Sequence, residues 1–258
     1  MKSSLQLATR YFIEGIREKT IPRNKHHILL ACMRRSGSTY VSSLLSNIGD
    51  FKAVNVGYIG SEREQEADRE ALVVNHRFNY VAQLHTKYHV PLSHLMDNYN
   101  LKPVVLIRDI HDIVISVSDY LMAPKNKMRT PGGGVPSELS QWDEEKRLLF
   151  AVQHIVPWSI TFFLSWQKVP DKTLITFDEI IQTPVPALQK IFHDIDIPIS
   201  NQDILHAIEL SNNANTGKVV GISGRGKVLP VSVLDAIASY AEFYKNYDLS
   251  PIGIKNYY

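Results

Sequence analysis

The run HHILLACM, residues 26–33, is apolar almost throughout and ends in the polar, glycine-containing turn RRSGST. The chain then resumes as TYVSSLLSNIG, with apolar residues at 40, 41, 44, 45 and 48, the spacing of one helix face. This pattern predicts a buried strand, a tight turn and a helix closed by Gly49. It recurs at KPVVLI, residues 102–107, followed after Arg108 by DIHDIVISVSDYLM, whose apolar positions again suit a helix. KTLITF, residues 172–177, supplies a third strand. Strands that are apolar on both faces and lead straight into helices predict an α/β fold: a P-loop-like three-layer sandwich with a central parallel sheet flanked by helices.

Between these units, residues 138–168 read as helix with a kink or break at Pro157. The charge-dense SEREQEADRE, residues 61–70, reads as a solvated face or loop, most simply an exposed helix. TPGGGVP, residues 130–136, is a surface loop, with a mobile lid over a site as the alternative. Near the N-terminus Leu5, Ala8, Phe12 and Ile16 recur at helical spacing, so residues 1–22 are expected to form an amphipathic helix packed on the domain. Glu14 and Glu18 argue against a transit peptide, which is poor in acids. No repeat or linker divides the chain, and residues 1–258 are expected to form one domain.

Composition narrows the function classes. With 28 Lys and Arg against 26 Asp and Glu the formal charge is +2, too small for a dedicated nucleic-acid binder, so any anion site must be a local cluster. The single cysteine, Cys32, excludes an intrachain disulfide and a cysteine-based zinc site, and fits a reducing, cytoplasmic setting. No continuous apolar run reaches the roughly 18 to 20 residues of a membrane-spanning helix. The greasiest stretch, residues 155–166, is interrupted by Pro157, Ser159, Thr161 and Ser165.

The turn Arg34-Arg35-Ser36-Gly37-Ser38-Thr39 opens a helix, where backbone N–H groups are unsatisfied and carry partial positive charge. Gly37 permits close backbone approach, Ser38 and Thr39 add hydroxyls, and Arg35 adds a full charge. Helix capping by Ser38 or Thr39 would explain part of this pattern but not the arginines and the glycine. A nucleotide-triphosphate P-loop carries lysine directly before its Ser/Thr; here Gly37 holds that place, which disfavours a Walker-type kinase or ATPase. The second strand ends at Arg108, and Ser116 lies eight residues on, two helical turns into the next helix. Alone, Arg108 would serve as an ion-pair partner of Asp109 or Asp112. Both strands deliver anion-binding groups at their C-terminal ends, where open α/β sheets hold ligands, and two such sites point to a ligand phosphorylated at two positions.

These residues resemble those of the sulfotransferases that use 3′-phosphoadenosine-5′-phosphosulfate. RRSGSTYVSSLL is similar to that family's 5′-phosphosulfate loop, and VVLIRDIHDIVIS to its 3′-phosphate motif, an arginine followed eight positions later by serine. Between them Lys87-Tyr88-His89-Val90-Pro91 resembles the Lys-Thr-His-Leu-Pro signature of the cytosolic branch. Downstream, LITFDEIIQTPVPALQKIFHDIDIP is similar to the family's strand, acidic turn and helix, so the resemblance spans roughly residues 26–227. It implies that Arg35, Ser36, Gly37, Ser38 and Thr39 hold the 5′-phosphosulfate and that Arg108 and Ser116 hold the 3′-phosphate. It further implies His89 as catalytic base, with Lys87 and Arg35 at the leaving phosphate. Tyr40 stands where the family packs Trp on adenine, and Phe177 stands where it carries tyrosine. The family's late basic loop is only faintly present in residues 216–227; Arg225, Gly226 and Lys227 are the matching positions, with Lys218 as the alternative register. The aromatic expected upstream of that loop is not apparent in SNNAN, and the cytosolic branch's C-terminal dimer motif is absent.

The implied reaction is an in-line displacement governed by positioning and electrostatics, with no obligatory metal. The acceptor, a hydroxyl or amine of a small molecule, loses a proton to a base. His85 and His89 are four apart, but HTKYH has no central glutamate and no evident third ligand, so a metal site is not expected. The competing readings are a degenerate P-loop kinase or nucleotide hydrolase, which magnesium-dependent ATP turnover would support, and a non-catalytic nucleotide-binding relative.

Overall fold

The computed structural model describes residues 25–57, 64–122, 134–213 and 222–255. The expected N-terminal helix, the start of the 130–136 loop and Lys218 lie outside them. Five strands, β1 (His27–Cys32), β2 (Lys52–Val54), β3 (Tyr80–Leu84), β4 (Leu101–Ile107) and β5 (Thr173–Thr176), form one all-parallel sheet in the order β2-β3-β1-β4-β5. Around it lie α1 (Ser38–Ser46), α2 (Arg69–Asn75), α3 (Val90–Tyr99), α4 (Ile110–Met122), α5 (Glu144–Gln167), α6 (Phe177–Gln182), α7 (Pro184–Asp194), α8 (Asn201–Asn213) and α9 (Val231–Glu242).

The continuous apolar character of β1 follows from its place in the middle of the sheet. Successive strand side chains point to opposite faces. Ile28, Leu30 and Cys32 therefore enter one core with Leu44, Leu45, Leu188 and Phe192 of α1 and α7. Leu29 and Ala31 enter a second core with Ile113 and Val117 of α4 and Val152, Ile155 and Phe162 of α5. The three anticipated strands are present, while β2 and β3 add two that the sequence pattern did not announce.

Two expectations need adjusting. Pro157 lies inside an unbroken α5, so of the expected kink or break the break does not occur. The helix is embedded in the core by Ile155, Val156, Trp158 and Ile160 next to the proline, and this packing holds the chain helical despite the lost backbone bond. By length and composition α5 is also the one helix among the described residues that could cross a membrane, but its apolar side chains form the domain core. Finally, α2 begins only at Arg69, and residues 64–68 precede it without helix, folded against the loop after β3 rather than standing as a solvated helix.

Candidate active site

The turn after β1 is shaped by two left-handed residues, Arg35 (φ 62) and Gly37 (φ 82), which curl the backbone into the start of α1. Glycine is required at position 37 on two counts, since a Cβ there would also lie 2.8 Å from the Phe177 ring. The same ring lies 4.0 Å beneath the Arg108 guanidinium, so Phe177 serves as the floor on which the turn and the arginine rest. Ser36 is buried and donates its hydroxyl to the Met33 carbonyl at 2.6 Å, fixing the turn from within. Ser38 Oγ accepts from Gln83 Nε2 at 3.0 Å, and Thr39 is exposed at the helix start.

Because β1 and β4 are neighbours, with Cys32 opposite Leu106, the segments that follow them leave the same edge of the sheet. Arg108 Nη1 donates to the Arg35 carbonyl at 3.0 Å, and Arg35 Nε donates to Ser116 Oγ at 3.2 Å. The three residues anticipated from separate motifs thus form one bonded cluster. Burial lowers the pKa of both guanidiniums, and each is lowered or held by its neighbours: Arg108 opposes the charge of Arg35, while Asp112 favours that of Arg108. The Arg35 guanidinium also lies 4.5 Å from the Tyr120 ring.

Asp112 is the organising residue that the sequence reading considered only as an ion-pair partner. Its buried carboxylate pairs with Arg108 Nη2 at 3.3 Å and accepts the amides of Gly224 at 2.9 Å and Gly226 at 2.8 Å. Arg108 Nη2 also donates to the Ile222 carbonyl at 3.0 Å. These bonds bring the 222–228 segment onto the start of α4, where a Cβ on Gly226 would lie 2.8 Å from the His111 carbonyl carbon. Arg225 meets Asp119 at 2.7 Å, and Lys227 is exposed beside it. Tyr40 is buried on the α1 side of the sheet, with its hydroxyl donated to Asn212 Oδ1 at 3.0 Å near the end of α8.

The second half of the site follows β3. Trp166 Nε1 donates to the Thr86 carbonyl at 3.0 Å, and Ser165 Oγ accepts the Tyr88 amide at 3.0 Å, so α5 sets the path of residues 85–89. His89 then caps α3, its Nδ1 accepting the Leu92 amide at 3.3 Å, with Pro91 in the first turn. Residues 64–66 run alongside: the Gln65 amide donates to the His85 carbonyl at 3.2 Å, and Gln65 Oε1 accepts the His85 amide at 2.7 Å. Glu64 accepts the Lys87 amide at 3.1 Å, the Lys87 ammonium at 3.3 Å and Trp158 Nε1 at 3.3 Å. Glu66 Oε2 lies 3.1 Å from His89 Nε2, too oblique for a hydrogen bond.

Trp158 joins the halves, with the Arg34 guanidinium and the Lys87 ammonium each 5.9 Å from its ring. His85 belongs to the scaffold and stands in an extended loop, not on a helix with His89. Its Nδ1 lies 2.9 Å from the Cys32 carbonyl, and burial together with Arg34 and Arg35 brings its pKa down to about 4. The Cys32 thiol is pushed up to about 12 by burial, which rules it out as a nucleophile. Among the described residues no group of three or more His, Cys, Asp or Glu is placed to hold a metal ion.

No protein-family model and no curated protein matches the sequence. Solved structures do match in three dimensions. The mouse sulfotransferase SULT7A1 complexed with PAP superposes with a TM-score of 0.65 at 15% identity, covering 92% of this chain and 90% of that one. The sulfotransferase STF9 of Mycobacterium avium gives 0.54 at 9% identity over 96% and 81%. Retinol dehydratase in complex with androsterone and PAP gives 0.54 at 13% identity over 89% and 84%. At such identities the likeness is one of architecture: the chain has the α/β fold of the sulfotransferases.

Proposed function

We propose that the protein transfers the sulfuryl group of 3′-phosphoadenosine-5′-phosphosulfate to a hydroxyl of a small acceptor. The observation that carries this reading is the Arg35–Ser116–Arg108 cluster, which joins groups from two separate strand ends into one anion-binding corner. The 5′-phosphosulfate lies along the 34–39 turn, received by the amides at the start of α1 and by Arg35. The 3′-phosphate sits between Ser116, Arg108 and the 224–227 segment that Asp112 holds against α4. The architecture shared with PAP-bound sulfotransferases supports the same placement, PAP being the adenosine 3′,5′-bisphosphate that remains after transfer.

A triphosphate-using enzyme fits less well. Position 37, where a nucleotide P-loop carries its lysine, is a left-handed glycine whose side-chain direction is blocked by Phe177.

In the reaction the acceptor oxygen attacks sulfur in line with the departing 5′-phosphate, which gains charge as the S–O bond breaks. Arg35 and the start of α1 receive that charge, and Lys87, held beside Trp158 by Glu64, assists at the leaving phosphate in this reading. The acceptor's proton leaves through the corner formed by His89 and Glu66. Small hydroxyl compounds of the kind named with a structural neighbour, such as androsterone, are the first acceptors to try. The test is a sulfation assay with labelled donor and pooled phenols, alcohols and amines in the presence of a metal chelator. Transfer of label to an acceptor is expected; hydrolysis of ATP in its place would contradict the assignment.

A further inference from the structure

Two carboxylates of α4 face the arginines of the proposed donor corner, and they are not alike. Asp112 is 2% exposed and tied at once to Arg108 and to the amides of Gly224 and Gly226. Asp119 lies three residues after Ser116 on the same helix face, its side chain is 45% exposed, and its Oδ2 lies 2.7 Å from Arg225 Nη2. It also favours the charge of Arg35. Arg225 stands between the two glycines that Asp112 holds, so its backbone is pinned while its 26% exposed side chain can exchange partners. A guanidinium takes carboxylate and phosphate through the same fork of N–H donors, so the two compete for it. A phosphate monoester brings nearly two charges and three acceptor oxygens at neutral pH, where a carboxylate brings one charge and two oxygens.

We propose that Asp119 is a specificity-determining residue: its carboxylate competes with the nucleotide's 3′-phosphate for the Arg225 guanidinium, so that only a ligand phosphorylated at that position takes the arginine over. This proposal rests on the sulfuryl-transfer reading, which sets the 3′-phosphate among Ser116, Arg108 and residues 224–227. Held there, the phosphate has Ser116 and Arg108 as partners and gains Arg225 at the expense of the ion pair. A nucleotide with a 3′-hydroxyl leaves Arg225 on Asp119 and draws nothing from it. The competition lowers the affinity for the bisphosphate and hastens its departure after transfer.

The test is calorimetry of the full chain with adenosine 3′,5′-bisphosphate and with adenosine 5′-monophosphate, for the parent, Asp119→Asn, Arg225→Ala and the double variant. Asp119→Asn keeps the size of the side chain and should hardly move thermal unfolding, since the pair is partly exposed. Its affinity for the bisphosphate is expected to rise about 10-fold, the worth of one charge-assisted hydrogen bond, while that for the monophosphate stays within about three-fold of the parent. Asp119→Ser, which removes the carboxylate with a different shape, should repeat the gain. In the Arg225→Ala background Asp119→Asn should change bisphosphate affinity by less than about three-fold, because the arginine it competes for is gone. Unchanged or weaker bisphosphate binding by Asp119→Asn would overturn the proposal. So would an equal gain for both nucleotides, or the full gain in the Arg225→Ala background, either of which marks a general effect of removing negative charge. A parent protein that binds neither nucleotide, or both alike, would count against the donor reading itself, and the competition falls with it.

Discussion

Arg108, on the proposed donor side of the site, is 5% exposed, bonded to the Arg35 carbonyl, Asp112 and the Ile222 carbonyl, and stacked on Phe177. Lys87 and His89, on the proposed acceptor side, are 31% and 32% exposed, and each side chain faces one carboxylate from a short extended segment. The donor half is continuous with the folded core, because the groups that would grip a phosphate also knit β1, β4, α4 and the 222–228 segment together. The acceptor half is mounted on that core through α5 and the cap of α3. Changes on the donor side should therefore cost stability as well as binding, whereas changes on the acceptor side should cost turnover alone.

The sharpest way to break this contrast is Arg108→Ala. It leaves the 2% exposed Asp112 carboxylate without its cation and is expected to destabilise the fold by about 3–5 kcal/mol, read in denaturant unfolding. Retained amide bonds from Gly224 and Gly226 place the outcome toward the lower figure. Full stability in this variant would show that the donor corner is not part of the core.

Acidification acts through the scaffold histidines. His85 and His76 have folded-state pKa values of about 4, chiefly through burial, against an ordinary value of 6.5. The unfolded chain therefore binds more protons between those values. The stability their neutral forms contribute is whole above pH 6.5 and is lost as pH falls toward 4, at up to about 1.4 kcal/mol per pH unit for each group. A Tm that stays level from pH 7 to 4.5 would contradict the buried, neutral state of both rings.

Gly37→Ala tests the turn alone. Left-handed backbone and the approach to Phe177 should cost about 1–3 kcal/mol and weaken bisphosphate binding with it. The smallest effect on folding is expected for Glu64→Gln and Lys87→Met, since a partly exposed ion pair contributes less than about 1 kcal/mol. Thermal unfolding should hardly move while sulfation falls. A large drop in Tm would place the acceptor half in the core after all.

What the sequence made legible follows the same division. β1 and β4 are buried on both faces, so each is a continuous apolar run, and the arginine after each stands out against it. β2 is a three-residue edge strand with Lys52 and Ala53 exposed, and β3 is interrupted by the polar Gln83, so neither carries that signature. Residues 64–66 read in the sequence as a solvated face or loop, because composition says nothing of partners 23 residues away. Only the folded chain shows the alternation that sets Glu64 against Lys87 and Glu66 against His89. Asp112 offered a fainter clue, an acid four residues after Arg108, and its second role of fixing the 224–226 backbone needed the structure.

The central claim is that two strand ends grip one nucleotide phosphorylated at both the 3′ and 5′ positions. It is tested most directly by calorimetry of the full chain with adenosine 3′,5′-bisphosphate and with adenosine 5′-monophosphate, in a metal chelator. The account predicts clear binding of the bisphosphate and at least about ten-fold weaker binding of the monophosphate, the difference being the 3′-phosphate held by Arg108 and Ser116. Equal affinity for the two nucleotides, or no binding of either, would contradict it.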